Sequence, residues 1–205
     1  MPRAVDTERK PSLLAAIIEY FEDKPLSGLS FRTLAQGLGV SSYTLVYHFG
    51  TKEKLLDEIV RAIAERQKGA ESAAVEAAGG AADRAMSIDT HLADLKASFD
   101  WALNVDNLKL QRLEFEAAMI EAIDPEQHTH TRKVFAFWME ETVRMLRALG
   151  LDAEQAALES RVLNNSFYGF QYDLVVNRDP ARTSHAFDEM LERHRAHLKR
   201  LLPDA

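Results

Sequence analysis

The sequence predicts an all-α protein in two parts, in which a small amino-terminal bundle of three helices is joined by a fourth helix to a larger helical domain. Two observations carry this prediction. Apolar residues recur at helical spacing in almost every cluster, and the glycines and prolines fall between these clusters rather than inside them. At 205 residues, of which 46% are hydrophobic, the chain is long enough to bury a sizeable core.

The amino-terminal helices have clear start and stop signals. A first helix is expected over about Pro11–Glu22, with its apolar residues on one wide stripe. A second is expected over Phe31–Leu38, capped by Ser30 and followed by Gly39, where a left-handed turn residue is favoured. A third helix is expected to start near Ser41.

The remaining helices divide the chain into two domains. Thr51 can cap a fourth helix, and a helix break is expected between Gly69 and Gly80. The predicted domains are therefore residues 1–68 and 69–205. Within the second domain, five helices bounded by local stop and restart signals are expected at Ile88–Asn104, Asn107–Ile123, Pro125–Leu149, Asp152–Asn177 and Pro180–Leu202.

Charge is distributed unevenly between these parts. Residues 1–68 carry 10 Lys and Arg against 9 Asp and Glu, a net charge of +1, which leaves 15 against 23, a net charge of -8, for the rest. The acidic total of -7 argues against a protein that coats nucleic acid. A near-neutral amino-terminal part can still present a local basic face to phosphates.

Composition excludes several other classes of protein. Without cysteine, the chain can form neither a disulfide framework nor a thiolate metal site. Its longest apolar runs fall far short of the roughly 18 residues of a membrane span, and no signal-peptide pattern is present. We therefore expect a soluble cytoplasmic protein with no membrane partner.

The segment FRTLAQGLGVSSYTLVYHF, residues 31–49, matches a helix-turn-helix. Small Ala35 lies where two helices cross, and Gly39 permits the turn that sets their crossing angle. No residue from 39 to 52 is acidic, and Lys52 lies where the start of the fourth helix can bind a phosphate. The outward face of the third helix presents groups that can hydrogen-bond at a groove or a phosphate, those of Ser42, Tyr43, Thr44, Tyr47 and His48.

The longer stretch LSFRTLAQGLGVSSYTLVYHFGTKEKLL resembles the DNA-binding signature of TetR-type transcriptional repressors, over about residues 10–60. The matching features are Leu34-Ala35, Gly39-Val40-Ser41, Thr44-Leu45, Tyr47-His48-Phe49 and Lys52-Glu53. The resemblance implies contacts to base edges or nearby phosphates by Arg32, Ser42, Tyr43 and Thr44, and contacts to the DNA backbone by Tyr47, His48 and Lys52.

Two residues depart from the family pattern. Val46 stands where the family often has a tyrosine that contacts DNA, and Tyr43 replaces the usual glycine or proline. The operator sequence is therefore not transferable, and the pattern leaves open whether Val46 contacts a thymine methyl or packs. The alternative for the whole segment is a helix-turn-helix that serves only as a packing motif.

The last two expected helices carry apolar seams at alternating three- and four-residue spacing, a pattern typical of helix pairing. The seam residues are Leu163, Phe167, Phe170 and Leu174, and then Phe187, Leu191, His194, Leu198 and Leu201. The resemblance implies a homodimer with a four-helix interface, in which recognition helices about 34 to 36 Å apart meet a near-palindromic double-stranded operator. The alternative is that both seams are buried within one chain.

The resemblance also implies a pocket for a small-molecule effector in the larger domain. Its candidate walls are Phe99, Trp101, Leu103, Phe115, Met119, Phe135, Trp138 and Met139. Candidate polar groups are those of Asn164, Asn165, Tyr168, Gln171 and Tyr172. Core packing is the alternative for each residue alone, because aromatic stripes at helical spacing are usually core. The expected effector is a hydrophobic or aromatic compound.

No metal, cofactor or catalytic site is predicted. His128 and His130 are expected in solvent and His194 in a helix seam, and none has carboxylates at ligand spacing. The sequence also lacks Glu-x-x-His, a phosphate loop and a nucleophile elbow. It therefore predicts a ligand-responsive DNA-binding regulator, expected to be a repressor. The alternative is a small-molecule-binding dimer that keeps the helix-turn-helix as a scaffold.

Overall fold

The structure is a computed structural model that describes residues 9–77, 86–123, 126 and 129–202. All regular secondary structure within these residues is helical, which confirms the predicted all-α fold. Among the helices of this part of the chain, none is long and apolar enough to cross a membrane.

The helix bounds follow the predicted order. A short 3-10 turn at Leu26–Gly28 lies between the first two helices. In the described residues the helices are α1 Arg9–Phe21, α2 Phe31–Leu38, α3 Ser42–Phe49, α4 Lys52–Ala77, α5 Ile88–Ala102, α6 Val105–Ile123, α7 His130–Ala148, α8 Ala153–Asn177 and α9 Pro180–Leu201.

The amino-terminal caps predicted at Ser30 and Thr51 are present, and Ser41 forms a third. The side-chain hydroxyls of Ser30, Ser41 and Thr51 each accept a hydrogen bond from the backbone N–H three residues later, at 3.1, 3.0 and 3.3 Å. Gly39 ends α2 with φ +66°, the left-handed conformation that glycine adopts without strain. These local contacts explain why α2, α3 and α4 begin where the sequence predicts and why α2 ends at Leu38.

Two boundaries differ from the expectation. Helix α4 continues through Gly69 to Ala77, so the expected break does not fall between 69 and 77. Helix α7 begins at His130 rather than at Pro125, which lies outside the described residues. The long α4 reflects an Ala-rich segment whose helix propensity outweighs one internal glycine.

The chain forms two compact units. One comprises the described parts of Met1–Arg66 and Leu113–Thr131, and the other those of Gln67–Arg112 and Arg132–Ala205. The predicted division at residue 68 would place 113–131 in the larger domain, whereas compactness groups this segment with the amino-terminal helices. The division into two functional domains remains a prediction.

The second unit has an aromatic centre. Phe99 of α5 and Phe187 of α9 stack with ring centroids 3.9 Å apart, and Phe167 and Phe170 of α8 meet Phe187 edge-on at 5.7 and 5.4 Å. Such stacked and edge-on pairs add to the free energy gained by burying the rings. The packing of α5, α8 and α9 is thereby fixed within this unit.

Candidate nucleic-acid interface

A small apolar core sets the orientation of α3. Leu34 of α2 and Leu45 and Phe49 of α3 are buried, as are Ile17 and Phe21 of α1, and α2 packs against both neighbouring helices. Because Leu45 and Phe49 lie one turn apart on the inner face, the opposite face of α3 is turned outward. The sequence predicted this arrangement.

A close contact in this unit lies at a small residue of α2 that the sequence pattern did not single out. Ala35 was the predicted small residue at a helix crossing, but it is only half-buried, and its carbonyl accepts the turn hydrogen bonds of Gly39 and Val40. The tight contact is at Gly37, where an added Cβ would lie 2.2 Å from Cε2 of Tyr20. A side chain at position 37 would therefore have to displace the tyrosine ring of α1.

The outward face of α3 is aromatic and apolar. Tyr43 is 78% exposed, Tyr47 64% and Val46 46%, and Ser42 is also exposed. The rings of Tyr43 and Tyr47 stack with centroids 6.5 Å apart. Since Val46 is exposed, core packing within the chain does not account for it, and a contact with a thymine methyl stays a prediction.

The other predicted DNA-contact residues differ in how far they are exposed. Arg32 and Lys52 are exposed, whereas Thr44 and His48 are half-buried. The Thr44 hydroxyl lies 2.8 Å from that of Ser41, within the amino-terminal cap of α3. Thr44 therefore has a structural role already, besides the base contact expected of it.

The charge around this face is suited to an anionic partner. Residues 24–52 contain no Asp or Glu, and their basic residues are Lys24, Arg32 and Lys52. Lys52 begins α4, where the unpaired backbone N–H groups of a helix start also favour an anion. A phosphate backbone can approach this face without meeting a carboxylate between residues 24 and 52.

The segment 113–131 is bonded to the amino-terminal helices. Glu116 of α6 accepts a hydrogen bond of 2.7 Å from the backbone N–H of Leu26, and His130 Nε2 lies 3.0 Å from Asp57 Oδ1 of α4. The expectation that His130 lies in solvent is therefore wrong, because this ring is half-buried against a carboxylate. His128 lies outside the described residues.

The predicted dimer seams are turned inward. Of their residues, Leu163, Phe167, Leu174, Phe187, Leu191, His194 and Leu198 are buried within the single chain, and Phe170 and Leu201 pack against the same core. A side chain buried in its own unit cannot cover a second copy. Burial of these seven favours intrachain packing, the alternative that the sequence left open, while a role between subunits for half-buried Phe170 and Leu201 stays a prediction.

The candidate pocket residues fall into three groups. Phe99 and Gln171 are buried, and Trp101 and Leu103 pack against the core of the second unit. Half-buried positions are held by Phe115, Phe135, Trp138, Met139 and Tyr168. Met119, Asn165 and Tyr172 are exposed because their helical phase turns them away from the interior of their units, so burial does not support their predicted role as wall residues.

Asn164, rather than Asn165, supplies the buried amide. Its Nδ2 donates to Thr142 Oγ1 at 3.0 Å and to the Ser160 carbonyl at 2.9 Å, and the Ser160 hydroxyl donates to the carbonyl of Met139. These bonds join α7 and α8 through polar groups inside the unit. An effector that entered here would meet hydrogen-bonding groups as well as apolar walls.

A buried histidine pair is the feature that sequence reasoning missed. Nε2 of His91 on α5 lies 3.2 Å from Nε2 of His194 on α9, and both rings are buried. Burial, reinforced by the neighbouring His194, lowers the pKa of His91 to about 4, and burial also lowers that of His194. The available signal was helical phase, because His91 lies in register with Ile88 and Leu95. No group of three metal-binding side chains forms among the described residues.

The helix-turn-helix fold and the acid-free α3 face are those expected of a DNA-binding regulator. Residues 13–59 match the family model of bacterial regulatory proteins of the tetR family. The predicted resemblance to TetR-type transcriptional regulators is therefore confirmed for residues 13–59, in the amino-terminal part of the chain. Among curated proteins, none matches the chain in sequence.

Solved structures share the fold over nearly the whole chain. A TetR transcriptional regulator from Legionella pneumophila is 16% identical with a TM-score of 0.66, covering 95% of this chain and 99% of the other. The multidrug binding protein EbrR, in complex with imidazole, is 26% identical with a TM-score of 0.64, covering 98% and 93%. BioQ, bound to its natural double-stranded DNA operator, is 22% identical with a TM-score of 0.53, covering 92% and 98%.

Proposed function

We propose that this protein is a homodimeric cytoplasmic repressor that leaves its operator when a small hydrophobic or aromatic effector binds. In this proposal residues 1–68 bind DNA, residues 69–205 bind the effector and dimerise, and no catalytic step is involved. The observation that carries the proposal is the exposed face of α3, which lacks acidic residues and lies in a domain of a DNA-binding family. BioQ, which has the same fold, is seen with its operator.

Dimerisation is supported by a second stripe on α8, distinct from the buried seam. Its apolar members Leu158, Val162, Tyr172 and Val176 are each more than half exposed. Together with exposed Asn165 and Gly169 they repeat at alternating four- and three-residue spacing, over about 27 Å of helix. A stripe of this spacing is suited to pairing with a copy of itself about a two-fold axis.

The contacts of residues 113–131 support the proposal that effector binding changes operator binding. In the predicted division, this segment belongs to the effector-binding domain. Its residues nevertheless contact the amino-terminal helices, because Glu116 accepts a hydrogen bond from the backbone N–H of Leu26 and His130 contacts Asp57 of α4. An effector that bound one arrangement of α6 and α7 more tightly would shift the position of α4 and hence of α3. Two recognition helices would then no longer fit their half-sites together.

The effector class follows from the side chains that remain as wall candidates. Trp101, Leu103, Phe135, Trp138 and Met139 are large, apolar and incompletely buried. Phe135 lies 5.3 Å from the ring of Tyr168, and Gln171 adds a buried amide. These groups favour a flat apolar compound with one or two hydrogen-bonding atoms.

Salt titration of DNA binding tests the proposal. Each protein–phosphate contact lowers the slope of log affinity against log salt concentration by about 0.9, so Lys52→Ala in a dimer is expected to flatten this slope by about 2. Affinity for every duplex should fall in parallel, because a phosphate contact carries no sequence information. Fluorescence anisotropy with the DNA upstream of the protein's own gene is the measurement.

Lys199→Ala is the matched control, because it removes the same charge from an exposed position on α9. We expect it to leave the slope unchanged. Equal slopes for wild type and Lys52→Ala would remove Lys52 from the contact set. Binding that never rises above the non-specific level, with or without effector, would instead favour a small-molecule-binding dimer that keeps the helix-turn-helix as a scaffold.

A further inference from the structure

The structure points to Val46 as a base-reading residue that the predicted contact set omits. Its side chain is 46% exposed on the outward face of α3, one turn from exposed Ser42 and beside Tyr43 and Tyr47. The inner face of the same helix is already filled by Leu45 and Phe49. Val46 therefore lies on the part of α3 that would face bases if the proposed function holds, and the inference rests on that function.

The other side chains of α3 offer few ways to read a base pair. The helix contains no Lys, Arg, Asn or Gln, so the usual two-bond contacts to guanine or adenine are not available from it. The hydroxyl of Thr44 is engaged with that of Ser41. The groups of this face that remain for sequence discrimination are those of Ser42, the two tyrosines and His48, and the apolar surface of Val46.

The chemistry of a valine side chain limits what it can recognise. It has two methyl groups and no hydrogen-bonding atom, and the one apolar group on the major-groove edge of DNA is the C5-methyl of thymine. Opposite any other base edge, Val46 would cover a polar atom that then has no partner, which is unfavourable. We propose that Val46 recognises the C5-methyl group of one thymine in each operator half-site.

The test uses the full-length protein and a duplex obtained by cyclic selection from a random library. Each thymine of the selected duplex is replaced in turn by deoxyuridine, which removes the C5-methyl and keeps base pairing. We expect one position per half-site at which the replacement weakens wild-type binding about three- to tenfold, since one methyl group is buried there. At that position the difference in affinity between thymine and deoxyuridine duplexes should be smaller for Val46→Ala than for wild type, because alanine offers less apolar surface to the methyl group.

The matched control is Val105→Ala, which shortens another exposed valine, on α6, and should keep the wild-type response to deoxyuridine. If no deoxyuridine replacement weakened binding by the wild-type protein, the inference would be overturned before any variant is measured. A Val46→Ala protein that remained as sensitive as wild type at the same position would overturn it too. If the selection enriched no sequence, the proposed function would be overturned as well. If a duplex were selected but no deoxyuridine replacement changed its affinity for the wild-type protein, this inference alone would be overturned.

Discussion

At the scale of single residues, the least expected feature is the pair of histidines in the larger unit. His91 and His194 are separated by 103 residues in sequence, yet their Nε2 atoms lie 3.2 Å apart in a buried setting. Burial is the main cause of the lowered pKa of both rings, while Glu159 opposes it and His197 reinforces it at His194. Two neutral rings can share one hydrogen bond there, but a protonated ring would be poorly solvated.

This pair predicts loss of stability on mild acidification. The pKa of His91 is about 4 in the folded chain, below its value of about 6.5 in the unfolded chain, so the unfolded state binds the proton first. The free energy of unfolding should therefore be greatest above pH 6.5 and decrease as the pH falls toward 4, by on the order of 3 kcal/mol for His91. Urea unfolding between pH 7 and 5 measures this before most carboxylates titrate.

In the double variant His91→Leu/His194→Leu, the free energy of unfolding should depend less on pH between pH 7 and 5. The control His185→Leu, at an exposed position on α9, should retain it. If the free energy of unfolding of the double variant fell with pH as steeply as that of the wild type, the histidine pair would not be the source of the pH dependence.

At the scale of helices, the α1–α2 contact shows how one missing side chain sets a packing distance. Tyr20 of α1 lies against Gly37 of α2, edge-on to Phe21 at 5.3 Å and below the ammonium group of Lys24 at 3.9 Å. The Tyr20 ring is therefore in contact with Phe21, Lys24 and Gly37. Any side chain at position 37 must displace it.

We predict that Gly37→Ala destabilises the amino-terminal unit by about 1–3 kcal/mol, because the added methyl overpacks the contact with Tyr20. Gly69→Ala is the matched control, as Gly69 lies inside α4 with no atom within 4 Å of an added Cβ. This control should stabilise by about 0.5–1 kcal/mol through helix propensity. Thermal unfolding distinguishes the two, and equal stabilisation by both changes would contradict the close contact.

At the scale of the whole molecule, α8 presents apolar residues on two faces. One face is buried within the second unit, and the other carries the exposed stripe of Leu158, Val162, Tyr172 and Val176. The proposed dimer uses the outer face, and both proposed half-site contacts depend on it. Operator affinity and dimerisation should therefore be lost together.

Val162→Glu should dissociate the dimer, because the interface would bury two unpaired carboxylates, one from each subunit, at a cost of about 3–5 kcal/mol for each. Sedimentation velocity measures the oligomeric state, and anisotropy measures operator binding at the same protein concentration. Val105→Glu, which places the same charge on an exposed valine of α6, should remain dimeric. A Val162→Glu protein that stayed dimeric would exclude the α8 stripe as the interface.

Local rules account for what the sequence determined by itself. The three hydroxyl caps, the left-handed Gly39 and the Asp152 and Asp179 starts of α8 and α9 involve residues at most four positions apart, so they could be predicted from adjacent letters. The same holds for the helix-turn-helix motif, whose specific residues lie within about 20 positions. The helical class, most helix bounds and the outward face of α3 followed from such signals.

Only the tertiary structure decided which of several chemically similar faces is buried. Both stripes of α8 have the spacing of a helix seam, and the choice between them depends on α5 and α9 covering one of them, which no local pattern encodes. The meeting of His91 with His194, the contact of Gly37 with Tyr20 and the grouping of residues 113–131 with the amino-terminal helices have the same origin. Each depends on the rotation and placement of helices distant in sequence, and these are set by the total area that the packed chain can bury.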